Sequence, residues 1–284
     1  MLIVHMKLSE DEIKTILERV KETPQTVNYI AHLIDRSWVT TEKYLHELRD
    51  TTGLINLKTF REGTQGALKI VYFTPTPFSI GDEVKQSLSQ QILAGKQKDD
   101  FDFMDVFQFI PENQKHSFTR TIPEEQHMSS VEMVKKLAQK KLFYFSGNMS
   151  FVSTSYPGKE SVIDMMEKQL SLGVQIKILC RVSLSSLSNI ESISNLLIKY
   201  PQQFEIRHRY HPLRGMIIDD SFARFKSWEE KDKFRPGELN ESTRIYYEIT
   251  SPEWIAWMES VFWQMWRSSI PYDQRIKEIQ RITE

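Results

Sequence analysis

A single cysteine, Cys180, occurs in 284 residues, so no disulfide can close within the chain. It ends an apolar run with Val174, Ile176, Ile178 and Leu179, which reads as a buried strand, and a reducing compartment is expected. No apolar stretch approaches the roughly 18–20 residues of a membrane span, and the apolar start Met1–Val4 gives way at once to His5 and Lys7. Neither a span nor a secretory leader is expected, and the chain reads as cytoplasmic. The seven histidines show no HExxH spacing, and no CxxC, glycine-rich phosphate loop or nucleophile elbow occurs. No metal and no cofactor is expected. An excess of one charge is missing too: 37 Lys and Arg against 38 Asp and Glu leave a net charge of −1. Attraction to nucleic acid must therefore come from local arrangement.

What is present is the composition of a folded globular chain, 40% hydrophobic and 26% charged with both signs interspersed, and long enough for two domains. Ser9 followed by Glu12 has capping-box spacing, and Ile13, Ile16, Leu17 and Val20 recur with helical period up to Thr23-Pro24. A second helix runs from about Thr26 to Asp35 on the stripe Val27, Ile30, Ala31 and Ile34. After a break at Arg36-Ser37-Trp38, a third starts at Thr40 or Thr41 and ends at Gly53. Beyond Gly53 the period turns strand-like, with Leu54, Ile55 and Leu57, a turn over Phe60–Gly66, then Leu68, Ile70 and Tyr72.

Three short helices followed by a hairpin make an α+β winged helix-turn-helix. The residues Leu45-His46-Glu47-Leu48 and Thr52-Gly53-Leu54-Ile55 resemble the recognition-helix signature of bacterial and archaeal transcription regulators. That resemblance implies binding of double-stranded DNA, with the third helix in the major groove and the wing on the backbone. Thr41, Leu45 and Leu48 share one face of the helix. Thr40, Thr41, Glu42, Lys43, Tyr44 and His46 are the expected base-side contacts, and Arg36, Lys58, Arg61 and Lys69 the expected phosphate contacts. From Arg36 to Phe73, six cations (Arg36, Lys43, Arg49, Lys58, Arg61, Lys69) face four anions (Glu42, Glu47, Asp50, Glu62). So small an excess supports tight binding only if a homodimer presents two copies.

A helix over Gly81–Ala94 carries the stripe Val84, Leu88, Ile92 and Leu93, a candidate dimerising seam. Residues 96–126 mix aromatics with acids and are expected to pack on a domain or join its sheet. From Ser129 helices alternate with short apolar strands: helix 129–140, strand 142–146, helix 160–171, strand 175–180, helix 189–199, strands 204–208 and 215–219, and a long helix 252–268 with Trp254, Trp257, Trp263 and Trp266 as core or interface residues. The expected division is 1–77, a connecting segment 78–128, and an α/β layered domain 129–284.

Phe143-Tyr144-Phe145-Ser146-Gly147-Asn148, the run 172–179, His211-Pro212-Leu213-Arg214-Gly215-Met216-Ile217-Ile218-Asp219-Asp220, and the closing strand and helix at Tyr247–Ser251 and Phe262–Trp266 resemble in their order the phospholipase D-like fold found in archaeal regulators of the TrmB family. In catalytic members of that fold a histidine attacks phosphorus, a lysine two residues on neutralises phosphate oxygens, and an aspartate orients the histidine. Here Arg214 and Asp219 keep the second spacing, but Pro212 stands where histidine belongs and His211 is one place early. The resemblance implies a regulator whose second domain has given up hydrolysis and serves dimerisation or the sensing of a phosphorylated or sugar effector, with Arg207, Arg209, His211 and Arg214 as candidate effector contacts. Two other readings stand beside it: a nuclease or phosphodiesterase acting through His211, Arg214 and Asp219, and a protein-interaction adaptor.

Overall fold

The computed structural model describes residues 8–61, 68–74, 82–119, 129–153, 160–235, 238–239 and 241–283. Helix α1 (Glu10–Glu22) begins with the expected capping box, in which the Ser9 hydroxyl accepts from the Glu12 amide at 3.1 Å while the Glu12 carboxylate accepts from the Ser9 amide at 2.7 Å. A two-residue strand β1 (Gln25–Thr26) leads into α2 (Val27–Leu33), capped by Thr26. Helix α3 (Trp38–Thr52) starts earlier than its threonines suggest, because the Ser37 hydroxyl accepts from the Thr40 amide at 3.2 Å and so acts as the cap. It stops at Gly53, whose φ of 65° is the left-handed conformation of a helix end. Strands β2 (Ile55–Arg61) and β3 (Leu68–Phe73) form the wing, and β3 lies between β1 and β2. The tip between them, including the expected glycine turn, lies outside the described residues.

The wing is buried on both sides. Ile55 and Val71 join Ile16, Val20, Ile30, Leu45 and Leu48 in the core beneath the three helices. Phe60, Leu68 and Tyr72 point the other way, into the core of the larger part of the chain. Phe60 meets Tyr247 edge-on at 6.3 Å, the Tyr72 hydroxyl donates to Glu112, and the Lys115 ammonium lies 4.5 Å from the Tyr72 ring centre.

Helix α4 (Asp82–Ala94) is followed by α5 (Met104–Phe107) and strand β4 (Lys115–Thr119). Next come α6 (Ser130–Leu137), β5 (Lys141–Phe145), α7 (Val162–Ser171), β6 (Gln175–Cys180), α8 (Leu187–Glu191), α9 (Ser194–Lys199), β7 (Phe204–His208), β8 (Gly215–Ile218), β9 (Phe222–Glu229), β10 (Thr243–Ile249), α10 (Pro252–Arg267), β11 (Ile270–Pro271) and α11 (Tyr272–Thr283). The eight strands form one sheet in the order β11-β7-β6-β5-β8-β9-β10-β4, parallel from β7 to β5 and antiparallel elsewhere. This is the α/β layered domain. The connecting segment does not stand apart from it, because β4 pairs with β10 along five residues and carries the sheet back beyond residue 129. The expected seam on α4 is occupied within the chain, since Leu88 and Ile92 are buried in the same core as Trp254 and Met258 of α10.

Both faces of the central strands are covered, which accounts for their unbroken apolar runs. Along β5, Phe143 and Phe145 face α10 while Leu142 and Tyr144 face the core shared with α6, α7 and α11. Cys180 is buried in that second core, where loss of solvent pushes its thiol up to about 12. Phe262 of α10 stacks on Phe143 at 4.5 Å and on Trp266 at 5.3 Å. Among the described residues no helix is long and apolar enough to cross a membrane. Phe262→Ala is expected to cost about 3–5 kcal/mol of stability, as emptying a fully buried aromatic site does, read as a lowered urea midpoint with unchanged slope.

Candidate functional site

Helix α3 turns Thr41, Leu45 and Leu48 inward, and each is fully buried. Thr41 is therefore unavailable to DNA, because it lies one turn before Leu45 on the core stripe. Val39 and Lys43 stand on the exposed side, Thr40 and His46 are half-exposed, and Tyr44 packs on the core. Glu42 is held at the helix–wing junction, paired with the Lys69 ammonium and 3.8 Å from His46 Nε2. Lys69 also lies 5.3 Å from the Trp38 ring centre. Arg36 reaches Glu12 at 3.2 Å, and the Ser9 amide, with Arg36 adding, holds that carboxyl below the usual range. Lys58 is on the wing face turned to the large sheet, near enough to Lys115 for each charge to oppose the other, and this alternation of strand faces removes it from the expected phosphate contacts. Arg61 ends β2. Lys43 has no ion pair among the described residues.

The broken histidine motif sits where β8 begins. His211 is only 2% exposed, with Nε2 3.2 Å from the Leu179 carbonyl oxygen at the end of β6 and the Phe145 ring edge-on at 5.8 Å. Its Nδ1 is buried near the Leu213 main chain, with no hydrogen bond of good geometry among the described residues. Burial, with the Arg214 charge adding, pushes the imidazole down to about 3, so it is neutral at physiological pH. Neither nitrogen is open to an incoming phosphorus atom, which removes His211 from the nucleophile's part. Asp219 is at the other end of β8, where its carboxylate accepts from the amides of Gln139, Lys140 and Lys141 at 2.9, 2.9 and 2.8 Å. It fastens the entry to β5 rather than orienting the histidine, and its own φ of 47° is left-handed.

The four expected effector contacts do not converge. Arg207 donates to Glu205 at 2.7 Å and to the Trp266 carbonyl at 3.3 Å, and Arg209 reaches Ser268 and the Leu93 carbonyl, so both brace β7 against its helices. Strands β6 and β5 stand between β7 and β8 in the sheet, which separates the two ends of this sequence cluster. Arg214 alone of the four borders the main cavity, of about 600 Å³. The cavity lies over β5, β8, β9 and β10, and its described lining holds five cations, Lys98, Arg214, Arg224, Lys226 and Arg244, with no Asp or Glu. Arg224 donates to Glu248 behind the wall, at 2.9 Å from Nε. The register opposes Trp228 to Arg244 and Lys226 to Tyr246. Sequence reasoning missed this wall, although Arg224, Lys226 and Trp228 recur at every second residue of one strand, a legible signal.

Asp219→Ala should lower stability by about 2–4 kcal/mol, since three amides lose a charged acceptor and alanine is disfavoured at that φ. Asp219→Asn should lose less, and equal urea midpoints for wild type and Asp219→Ala would contradict the role. A second expectation concerns pH. Unfolded His211 gains a proton near 6.5, whereas folded His211 stays neutral down to about 3. The unfolded state thus binds more protons between those values, and stability falls as pH drops through that window. His208, lowered to about 4 by burial, acts in the same direction, and Asp105, raised by burial to about 7, acts oppositely. The test is therefore a difference: His211→Gln should flatten the pH dependence of unfolding free energy by up to about 1.4 kcal/mol per pH unit, and parallel curves would show that His211 titrates normally.

No protein-family model matches the chain, and no curated protein matches it. Among solved structures it is similar to TrmBL2, described as an archaeal chromatin protein that shows a novel mode of DNA binding, with 16% identity and a TM-score of 0.40 over 94% of this chain and 95% of that one. It is also similar to NucT from Helicobacter pylori, with 15% identity and a TM-score of 0.41 over 56% of this chain and 99% of that one. A third likeness is to Nuc of Salmonella typhimurium, a phospholipase D family member, with 14% identity and a TM-score of 0.37 over 56% and 99% of the two chains.

Proposed function

We propose that this chain is a DNA-binding transcriptional regulator that acts as a homodimer, with a large domain that has given up phosphodiester chemistry and serves pairing or effector sensing. One observation carries the reading: α3 keeps its core stripe buried while Val39 and Lys43 project from the opposite side, on three helices braced by a two-stranded wing. That is the geometry of a major-groove reader. Arg36, Arg49 and Lys69 are each tied to a neighbouring carboxylate, so one copy offers little uncompensated charge. Two copies on neighbouring half-sites supply what one lacks. The burial of both His211 nitrogens supports a part other than hydrolysis for the large domain.

The reading is tested by gel retention with DNA from upstream of the chain's own gene at low and rising salt. Retention that weakens steeply with salt is expected. Lys43→Ala should lower the slope of log affinity against log salt by about 1. A folded dimer that retains no DNA at low salt sinks the proposal.

A further inference from the structure

The cavity on the large sheet is built for a ligand that the DNA-binding reading does not need. Its volume, about 600 Å³, matches a small molecule rather than a polymer. Apolar rings dominate its walls, including Tyr144 and Phe151, stacked at 4.9 Å, and Phe118 and Tyr246, stacked at 5.0 Å. Such flat surfaces suit a flat apolar body. The charge in the lining is of one sign, and its cations differ in what already holds them. Lys98 lies 3.4 Å from Glu230 and Arg224 is bonded to Glu248.

Arg214 has no ion pair among the described residues. Its Nη1 donates to the carbonyls of His211 and Leu213 at 3.1 and 2.7 Å, which fixes the plane of the guanidinium. The other edge of the fork, Nε with Nη2, faces Gly147, where a Cβ would come within 2.8 Å of Nη2 and 3.0 Å of Nε. Glycine at 147 therefore leaves uncovered the side on which two parallel N–H groups can donate together. A planar two-oxygen acceptor fits that edge. Arg244 has no ion pair among the described residues either, and its guanidinium lies 5.7 Å from the centre of the Trp228 ring.

We propose that this cavity binds a small aromatic carboxylate, its head on the open edge of Arg214 and its ring among the aromatic walls. The proposal gives a chemical class to the effector-sensing part of the function proposed above, but the binding itself requires no DNA. It is therefore tested on the free full-length protein by titration calorimetry with 2-naphthoate, and its failure is distinguishable from a failure of DNA retention. One site per chain is expected, with little or no binding of the isosteric neutral 2-naphthamide and no displacement by inorganic phosphate at equal concentration. Arg214→Gln should weaken naphthoate at least tenfold, and Gly147→Ala should weaken it too, because it covers the open edge while keeping the charge. The comparison of acid with amide on the unaltered protein decides the matter even where a variant fails to fold. Absence of naphthoate binding at millimolar concentration, equal binding of the amide, equal competition by phosphate, or full affinity in folded Arg214→Gln would each overturn it.

Discussion

The hairpin that follows the third helix has apolar side chains on both of its faces, and that fact governs how the molecule is assembled. A wing in isolation needs one buried face, the one carrying Ile55 and Val71. Here Phe60, Leu68 and Tyr72 are buried as well, against Tyr247 and the helices of the large sheet. Burial of such side chains stabilises by roughly 1.5–3 kcal/mol each, and it joins the two parts of the chain through a packed layer rather than a loose tether. The orientation of helix α3 is thus set by the large domain, and the recruitment of Lys58 to the joint follows from the same alternation.

The large sheet makes the same use of two-sidedness. Its middle strands feed two separate cores, one under α10 and the other under α6, α7 and α11, so the domain is three-layered around β5, β6 and β8. The segment from His211 to Asp219 shows what this does to single side chains. His211 turns inward to the Leu179 carbonyl and is a neutral core group. Arg214 keeps an outward edge, and Asp219 keeps its hold on the backbone amides of residues 139–141.

Much of this architecture could be read from the amino acids, because the strongest signals were local. The Ser9–Glu12 capping box, the glycine stop at 53 and the apolar runs of β5 to β8 all speak through their nearest neighbours. What could not be read depended on partners distant in sequence. Ser37 outcompetes Thr40 as a cap although both are suitable residue types, and β4 looks like an irregular aromatic stretch until β10 pairs with it. Strand β9 was legible in the alternation of Arg224, Lys226 and Trp228 but missed, because charged and aromatic residues stand there where a cavity takes the place of a core. The basic cluster at 207–214 misled in another way: it runs from β7 to β8, which the sheet order holds apart by β6 and β5.

Strand β4 touches both the cavity and the wing. Phe118 and Thr119 border the cavity at one end, and Lys115, at the other, sits under the Tyr72 ring of the wing. At about 3.4 Å per residue the ends are some 10–14 Å apart, a single extended strut with no loop between them. Lys115 is anchored by carbonyls of residues 107 and 108 and by Glu112. Five residues of one backbone, held at one end by a buried ammonium, thus tie the floor of the cavity to the wing, beside the neighbouring strand β10, whose Tyr246 lines the cavity and whose Tyr247 meets Phe60.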